Sequence, residues 1–280
     1  MKNQIIVIAL LVMAIVHVKA QNNENIYSMK LGDSKVILLS EGQWKGNPGI
    51  LIDATPEIIE KYAPNDSFPM ATNVFLWQSN GKNILFDTGY GRALFDNLQS
   101  LQIKPENIDA IFITHVHGDH IGGLIRNEKA AFPNAKLYIS KSEYNYGTNE
   151  SAKKTIEAYK DRLQLFEPIS DPYDDTSIYP GIKAFATYGH TPGHTVYLLE
   201  SDDDMLLIWG DLTHAMAVQM PYPELAVTYD SDTGKAVQSR LLVLRLVSAY
   251  NIPVAGMHIA YPGIGTIEKS EPGYKFIPVK

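Results

Sequence analysis

Histidines are crowded into one short segment of this 280-residue sequence. The stretch ITHVHGDHIGGL, residues 113–124, holds three of the chain's eight histidines and an aspartate within six residues. Such a cluster is either a polar surface loop or a metal site. His115 and His117 are two residues apart, so in extended backbone both side chains point to the same side. Asp119 and His120 follow at a turn into a predicted helix.

Three further residues of ligand type lie at predicted strand ends: His194 in GHTPGHT, Asp211 in WGDLT and His258 in AGMHIAYPG. Strand ends can share one sheet edge, so we expect all seven residues to converge there. Seven ligands exceed the four of one tetrahedral zinc. The set therefore predicts two metal ions: His115, His117 and His194 hold the first, Asp119, His120 and His258 hold the second, and Asp211 bridges them. Ligands of this kind without thiolate favour Zn²⁺, with Mn²⁺, Co²⁺ or Fe²⁺ as alternatives.

The elements that must position these residues are short β-rich segments and a few helices. Helices are predicted around Ser142–Tyr146, over Ser151–Leu165 and within Gly234–Ala249, and a strand over 108–114 leads into the histidine cluster. Between these segments no Pro- or Ser-rich linker separates two domains.

Two segments of the sequence match each other without a gap, VFLWQSNGKNILF at 74–86 and VYLLESDDDMLLI at 196–208. Each reads as a hairpin followed closely by an acidic residue, Asp87 or Asp211. The match is either a chance likeness of two hairpins or the trace of a duplicated half-domain. A duplication predicts an α/β fold with two similar sheets packed face to face and helices outside, a four-layer αββα sandwich.

Residues 1–20 differ from the rest of the chain. They combine Lys2, an apolar run and a small residue, Ala20, which is typical of a cleavable signal peptide. The run is short for a membrane span, so a permanent N-terminal anchor is the weaker interpretation. We expect residues 21–280 to form one domain in the periplasm or outside the cell, with no stable membrane anchor after cleavage.

Composition restricts the partners. The formal net charge is −7, and loss of the two leader lysines makes it more negative. An acidic surface disfavours nucleic acid, whose binding depends on Lys and Arg contacts to phosphate. There is no cysteine, so no disulfide or thiolate ligand is available. A small molecule is the expected partner.

The motifs THVHGDHIGG, LFDTG, GHTPGHT, the GD of WGD and the late histidine resemble the metallo-β-lactamase superfamily. The resemblance covers about Tyr27 to the C-terminus and is closest to methyl parathion hydrolase-like proteins. It implies the αββα fold and a dinuclear metal hydrolase, and a homodimer is common among such relatives. Asp87 resembles the buried aspartate that supports the site, the alternative being a turn aspartate. For His190 we expect a structural hydrogen-bonding role.

His214 departs from the related patterns. Lactonase-type relatives tend to carry a tyrosine at this position, and methyl parathion hydrolases an aliphatic residue. His214 is therefore either a group that polarises the substrate or protonates the leaving group, or a plain supporting histidine. We count it with Asp119 and Asp211 as a candidate catalytic residue. Candidate pocket aromatics are Trp44, Tyr90, Tyr144, Tyr146 and Tyr222.

These residues predict hydrolysis by a hydroxide bridging two metals, because two cations lower the pKa of a shared water. Esters, lactones and phosphotriesters suit such a nucleophile. The main alternative is an N-acyl-homoserine lactonase. Asp211 disfavours a β-lactamase. The predicted signal peptide disfavours a glutathione-thioester hydrolase, and the complete ligand set disfavours a non-catalytic periplasmic metal-binding protein.

Overall fold

The structure is a computed structural model that describes residues 25–147, 150–171 and 174–280. The predicted signal peptide, residues 1–20, lies outside the described residues. Within the described part of the chain, no helix is long and apolar enough to cross a membrane.

Two mixed β-sheets dominate the described residues. In sheet order, the first consists of β1 (Ile26–Leu31), β2 (Ser34–Gly46), β3 (Phe68–Ser79), β4 (Lys82–Phe86), β5 (Ala110–Phe112), β8 (Lys136–Ser140) and β9 (Leu163–Phe166). The second consists of β10 (Ile182–Ala186), β11 (Thr195–Ser201), β12 (Asp204–Ile208), β13 (Val254–Ala255), β14 (Ile264–Lys269) and β15 (Tyr274–Pro278). A separate ribbon pairs β6 (Ile125–Arg126) with β7 (Lys129–Ala130).

The α-helices are α1 (Pro56–Tyr62), α2 (Leu94–Ser100), α3 (Gly118–Ile121), α4 (Lys141–Tyr146), α5 (Glu150–Glu157), α6 (Met216–Gln219) and α7 (Thr233–Tyr250). Single 3₁₀ turns lie at Pro48–Ile50, Pro64–Asp66, Pro105–Asn107, Gly122–Leu124 and Lys160–Arg162. Helix α7 begins where Asp232 accepts a hydrogen bond from the backbone N–H of Lys235, over 3.0 Å. It ends at Asn251, whose left-handed backbone suits a helix C-terminus.

The two matching sequence segments occupy matching places. β3 and β4 form an antiparallel hairpin, and β4 then pairs in parallel with β5. β11 and β12 repeat this arrangement, with β12 parallel to β13. The prediction of two similar sheets is therefore confirmed.

Three apolar cores separate four layers. Alternate residues of β3 point to opposite faces: Val74 and Leu76 pack toward the helices, whereas Phe75 and Trp77 pack into the core between the sheets. A third core joins the second sheet to α7, where Leu244 is fully buried. The order is thus helices, sheet, sheet and helix, which confirms the predicted αββα sandwich. Because this part of β3 is covered on both faces, residues 74–77 are continuously apolar rather than alternating.

One predicted element is wrong in part. The helix predicted over Ser151–Leu165 is observed only as α5, and residues from Leu163 onward form the strand β9. Leu163 pairs with Leu137 of β8 in parallel, so a distant strand supplies the hydrogen bonds that the local pattern did not reveal. α1 and β8 were also not predicted.

Candidate metal centre

The histidine cluster lies at one edge of the sandwich, where strands of both sheets end. His115 and His117 occupy the segment between β5 and α3, and α3 carries Asp119 and His120. The second sheet contributes three loops. They carry His190, between β10 and β11; Asp211, after β12; and His258, after β13.

Three ring nitrogens and one carboxylate oxygen form the first cluster. Nε2 of His115 lies 3.0 Å from Nδ1 of His117, and Nε2 of His190 lies 3.2 and 3.0 Å from these two atoms. Oδ2 of Asp211 lies 3.2 Å from Nε2 of His190. Ligand atoms about 2.0–2.1 Å from a tetrahedral zinc lie about 3.3 Å apart. The spacing of these four groups therefore suits one ion.

A second cluster lies on the other side of Asp211. Nε2 of His120 is 3.7 Å from Oδ2 of Asp119 and 3.1 Å from Oδ1 of Asp211. Nε2 of His258 is 3.5 Å from Oδ2 of Asp119 and 3.2 Å from Oδ1 of Asp211. Asp119, His120 and His258 are therefore grouped as the sequence predicted. Asp211 contacts both clusters, as a bridging carboxylate must.

Two buried atoms at this centre support a cation between the ligands. Nε2 of His120 and Oδ1 of Asp211 lie 3.1 Å apart without the geometry of a hydrogen bond, and neither has another hydrogen-bond partner among the described residues. An unsatisfied buried polar atom is costly, so such atoms are uncommon unless an ion or water satisfies them. The donor set of imidazole and carboxylate groups is typical of a site for two divalent metals.

The prediction that His194 belongs to the first metal cluster is wrong. Both of its ring nitrogens are engaged by protein atoms. Nδ1 lies 3.2 Å from the carbonyl oxygen of Thr187 and 2.8 Å from its hydroxyl, and Nε2 accepts the backbone N–H of Asp211 over 2.9 Å. His190, expected to be structural, takes the position in the cluster instead. The two histidines lie four residues apart in the loop that joins β10 to β11, so their position relative to the strands did not separate them.

Carboxylates and carbonyl groups orient the clustered rings. Asp87 accepts a hydrogen bond from Nδ1 of His120 over 2.6 Å and from the Thr114 hydroxyl over 2.7 Å. The same hydroxyl contacts Nδ1 of His115 at 3.0 Å. Asp87 therefore supports both clusters, and of its two interpretations the supporting role fits the structure. Such partners fix the tautomer and orientation of a ligating histidine.

Two further rings of the clusters have partners that the sequence did not reveal. Nδ1 of His190 lies 3.0 Å from Oδ1 of Asp230, and Nδ1 of His258 donates to the carbonyl oxygen of Ala71 over 2.8 Å. Asp230 lies 40 residues from its histidine, so no local pattern pointed to it.

Glu143 was also missed. Its fully buried carboxylate accepts hydrogen bonds from the backbone N–H of Val116 at 2.9 Å and of Gly193 at 3.0 Å, and from the hydroxyl of Thr191 at 2.7 Å. The first donor lies between His115 and His117, and the other two follow His190. One side chain of α4 thus holds together the two segments that carry the first cluster.

His214 lies beside the centre rather than apart from it. Its Nε2 is 3.0 Å from Oδ2 of Asp211, and its ring stacks on that of His258 with centroids 4.9 Å apart. Its Nδ1 is buried and has no hydrogen-bond partner in the part of the chain that the structure describes, and the residue lines the adjoining cavity. It is therefore placed to contact both the clusters and a bound molecule.

The buried charges support each other. Burial, reinforced by neighbouring histidines, holds the pKa of His115 well below its usual value. Burial opposes ionisation of Asp211, but the surrounding histidines still bring its pKa well below the usual value. Burial likewise opposes a charge on His190, yet Asp211 and Asp230 raise its pKa to about 9. An ionised carboxylate among imidazoles is an arrangement that favours a bound cation.

A cavity of about 900 Å³ opens directly onto the centre. His117, Asp119, Asp211, His214 and His258 belong to its lining. The predicted aromatics Trp44 and Tyr90 also line it, whereas Tyr144, Tyr146 and Tyr222 do not. Tyr229, which sequence analysis did not single out, does.

The sequence profile of the metallo-beta-lactamase superfamily matches residues 68–253, more than half of the chain. The chain belongs to this superfamily. The solved structure of AbOPH, a hydrolase described as belonging to the beta lactamase superfamily, matches 91% of this chain and 98% of its own, with a TM-score of 0.83 and 28% identity. AidC, a dizinc quorum-quenching lactonase in complex with its product, has the same TM-score and coverage at 24% identity, a likeness that shows the fold.

Curated relatives match shorter segments of the chain. N-acyl homoserine lactonase of Bacillus cereus is 30% identical over 111 residues, which cover 40% of this chain and 40% of the lactonase. Hydroxyacylglutathione hydrolase of Klebsiella pneumoniae subsp. pneumoniae is 28% identical over 137 residues, 48% of this chain and 46% of the hydrolase. The matches thus span less than half the length of these two relatives.

Proposed function

We propose that this metal-dependent hydrolase cleaves ester, lactone or phosphotriester bonds of small molecules, with two divalent ions, zinc by preference, as its cofactor. The observation that carries the proposal is the pair of clusters joined by Asp211 at the floor of an open cavity. Cavities of this size suit small-molecule ligands.

In this proposal His115, His117 and His190 hold one ion, Asp119, His120 and His258 hold the other, and Asp211 lies between them. When bound, the ions supply a water of lowered pKa and polarise the carbonyl or phosphoryl oxygen. The chain's own task is to keep the ligands in place and to receive the substrate.

Supporting residues divide that task. Asp87 and Asp230 fix the orientation of His120 and His190, and His194 fixes the backbone of Asp211. His214 is the cavity residue that can contact the oxygen on which charge develops or the leaving group, because it faces the cavity beside Asp211. The absence of a tyrosine at this position distinguishes the chain from lactonase-type relatives.

Two substrate classes remain to be separated. The motif likeness to methyl parathion hydrolase-like proteins favours phosphotriesters and aryl esters. The similarity to N-acyl homoserine lactonase of Bacillus cereus and the fold shared with AidC favour a lactone. Hydroxyacylglutathione hydrolase is also a relative, and its thioester chemistry is a further outcome of the test.

The test is turnover by the purified chain from Gln21 onward, reloaded with zinc. Methyl parathion, an aryl ester, a small lactone, an acyl-homoserine lactone and a glutathione thioester are compared, with a chromogenic cephalosporin to detect a β-lactamase. Asp211→Asn is expected to abolish turnover, while Asp161→Asn, a matched change at an exposed site, is expected to leave it unchanged. The proposal is overturned if protein with two bound zinc ions hydrolyses none of the first four substrates, whether or not it cleaves the thioester or the cephalosporin.

We also propose that the mature protein acts after export, beginning at Gln21. Sequencing the N-terminus of protein recovered from the periplasm or medium tests this. An intact Met1 on membrane-associated protein would contradict it.

A further inference from the structure

Aromatic side chains form the walls of the cavity above the metal centre. Trp44, Tyr90 and Tyr229 all line it, and they remain 41%, 45% and 52% exposed. Large aromatic groups left this exposed around a pocket offer apolar area to a ligand. The part of a substrate that extends away from the clusters would therefore meet an apolar, aromatic surface.

The same cavity also contains two cations, Lys45 and Arg92. The Arg92 guanidinium lies over the Tyr90 ring, 4.5 Å from its centroid. Among the described residues neither cation forms an ion pair with a carboxylate. Lys45 and Arg92 differ from the other unpaired lysines and arginines of the described chain in that they line the cavity.

The acidic groups that line the cavity are already engaged. Glu41 accepts the backbone N–H groups of Tyr90, Ala93 and Leu94 over 2.6, 3.1 and 3.3 Å. The remaining carboxylates, Asp119 and Asp211, belong to the metal clusters. The positive charges of Lys45 and Arg92 are therefore available to a ligand.

The segment that carries Arg92 is held in place before any ligand binds. Glu41 fixes it through the three hydrogen bonds, and Gly91 adopts a φ of +76° where an added Cβ would lie 2.8 Å from Cα of Gly123. Stacking on Tyr90 restricts the guanidinium further. An arginine held in this way loses less entropy when it pairs with a planar anion.

We infer that the cavity selects substrates whose apolar or aromatic arm ends in a carboxylate or a similar anion, which pairs with Arg92 and Lys45 while the scissile bond lies at the metal clusters. This inference rests on the proposed hydrolase function. It goes beyond that function by naming a charge that neutral phosphotriesters and simple lactones do not carry.

The test uses two pairs of substrates that differ only in this charge. One pair is the 4-nitrophenyl half-ester of glutaric acid and its methyl ester, and the other is 4-acetoxybenzoic acid and its methyl ester. They place the anion on the acyl side and on the leaving-group side, respectively. We expect kcat/KM to favour the acid in at least one pair, by about tenfold, since a charged hydrogen bond at a half-exposed site contributes on this scale.

Arg92→Gln is expected to remove most of that preference. Arg126→Gln is the matched control, because Arg126 also lies over an aromatic ring, 4.7 Å from the centroid of Phe95, but outside the cavity. The inference is overturned if the acid is preferred in neither pair, or if the preference for the acid survives in an Arg92→Gln, Lys45→Gln double variant. Absence of turnover with all four substrates, in protein that hydrolyses a lactone or methyl parathion, would also overturn the inference, whereas inactivity on those substrates as well would contradict the hydrolase function itself.

Discussion

The backbone N–H of Asp211 donates to Nε2 of His194 over 2.9 Å, so a histidine that resembles a ligand fixes the backbone of the bridging aspartate instead. Its other nitrogen, Nδ1, contacts Thr187. His190, four residues earlier, presents Nε2 to the first cluster. Two histidines of one short loop thus have different tasks, and each can be tested separately.

Replacing His190 is expected to remove the first metal, whereas replacing His194 is not. His190→Ala deletes a cluster member, so the protein should hold about one ion instead of two by the logic of a three-histidine site. His194→Gln keeps a hydrogen-bonding group at the aspartate and should retain both. Elemental analysis of dialysed protein gives the stoichiometry. Loss of metal in His194→Gln with full occupancy in His190→Ala would restore the assignment made from sequence.

Asp87→Asn should weaken the binding of both metal ions. The aspartate accepts from Nδ1 of His120 and, through the Thr114 hydroxyl, supports His115. Loss of such a partner lowers metal affinity by about 10- to 100-fold. Competition with a chelator measures the affinities.

Thr114→Val distinguishes the support that Asp87 gives to His115 from the support that it gives to His120. The variant removes the hydroxyl that contacts His115 and leaves the hydrogen bond between Asp87 and His120. Thr114→Val should therefore lower the affinity for the first ion more than the affinity for the second. Equal affinities in Asp87→Asn and in Asp33→Asn, an exposed control, would show that Asp87 does not support the centre.

Glu143→Ala should destabilise the fold as well as the first metal site. Three buried donors, on Val116, Thr191 and Gly193, would lose their acceptor, at a cost of roughly 3 kcal/mol or more. Chemical unfolding of metal-free protein measures this cost without any contribution from ion binding. Glu157→Ala, on an exposed side chain of the neighbouring helix, is the control. Similar free energies of unfolding for the two variants would contradict the role given to Glu143.

The stability of the metal-free protein should fall in acid partly because of His194. Burial lowers the pKa of this histidine from 6.5 to about 3 in the folded chain. Between these values the unfolded chain binds a proton that the folded chain does not, so acid favours unfolding. The contribution of neutral His194 to the free energy of unfolding is complete above pH 6.5 and disappears as the pH falls toward 3. Over this range the free energy of unfolding falls by at most about 1.4 kcal/mol per pH unit because of this group.

Comparing His194→Gln with the parent isolates this group from the other histidines. Urea unfolding from pH 7 to pH 4 with a chelator present provides the measurement. The parent should lose stability more steeply than the variant. Parallel curves would mean that His194 does not titrate in this way.

Patterns that repeat along the chain were predictable, and pairings across it were not. The hairpins at 74–86 and 196–208 each carry two apolar runs and the turn between them, so the two sheets were predictable from the sequence. The segment from His115 to His120 is equally self-contained. Leu163 was assigned to a helix because its partner, Leu137, lies in a distant strand.

The supporting residues show the same limit. Glu143 acts on donors 27 and 50 residues away, and a single glutamate has no spacing that marks it. The choice between His190 and His194 depended on where two ring nitrogens point, which only the folded loop decides. Asp87 was open to two interpretations for the same reason.

The repeated hairpin architecture has a consequence for how the two halves of the molecule stay associated. Each cluster takes two side chains from the first sheet's half, His115 with His117 or Asp119 with His120, and the rest from the half built on the second sheet. An ion bound at either cluster therefore joins segments more than 70 residues apart in sequence, across the boundary between the sheets. In a chain without cysteine, metal binding free energy is also association free energy between the halves, and depletion of the ions loosens a non-covalent cross-link.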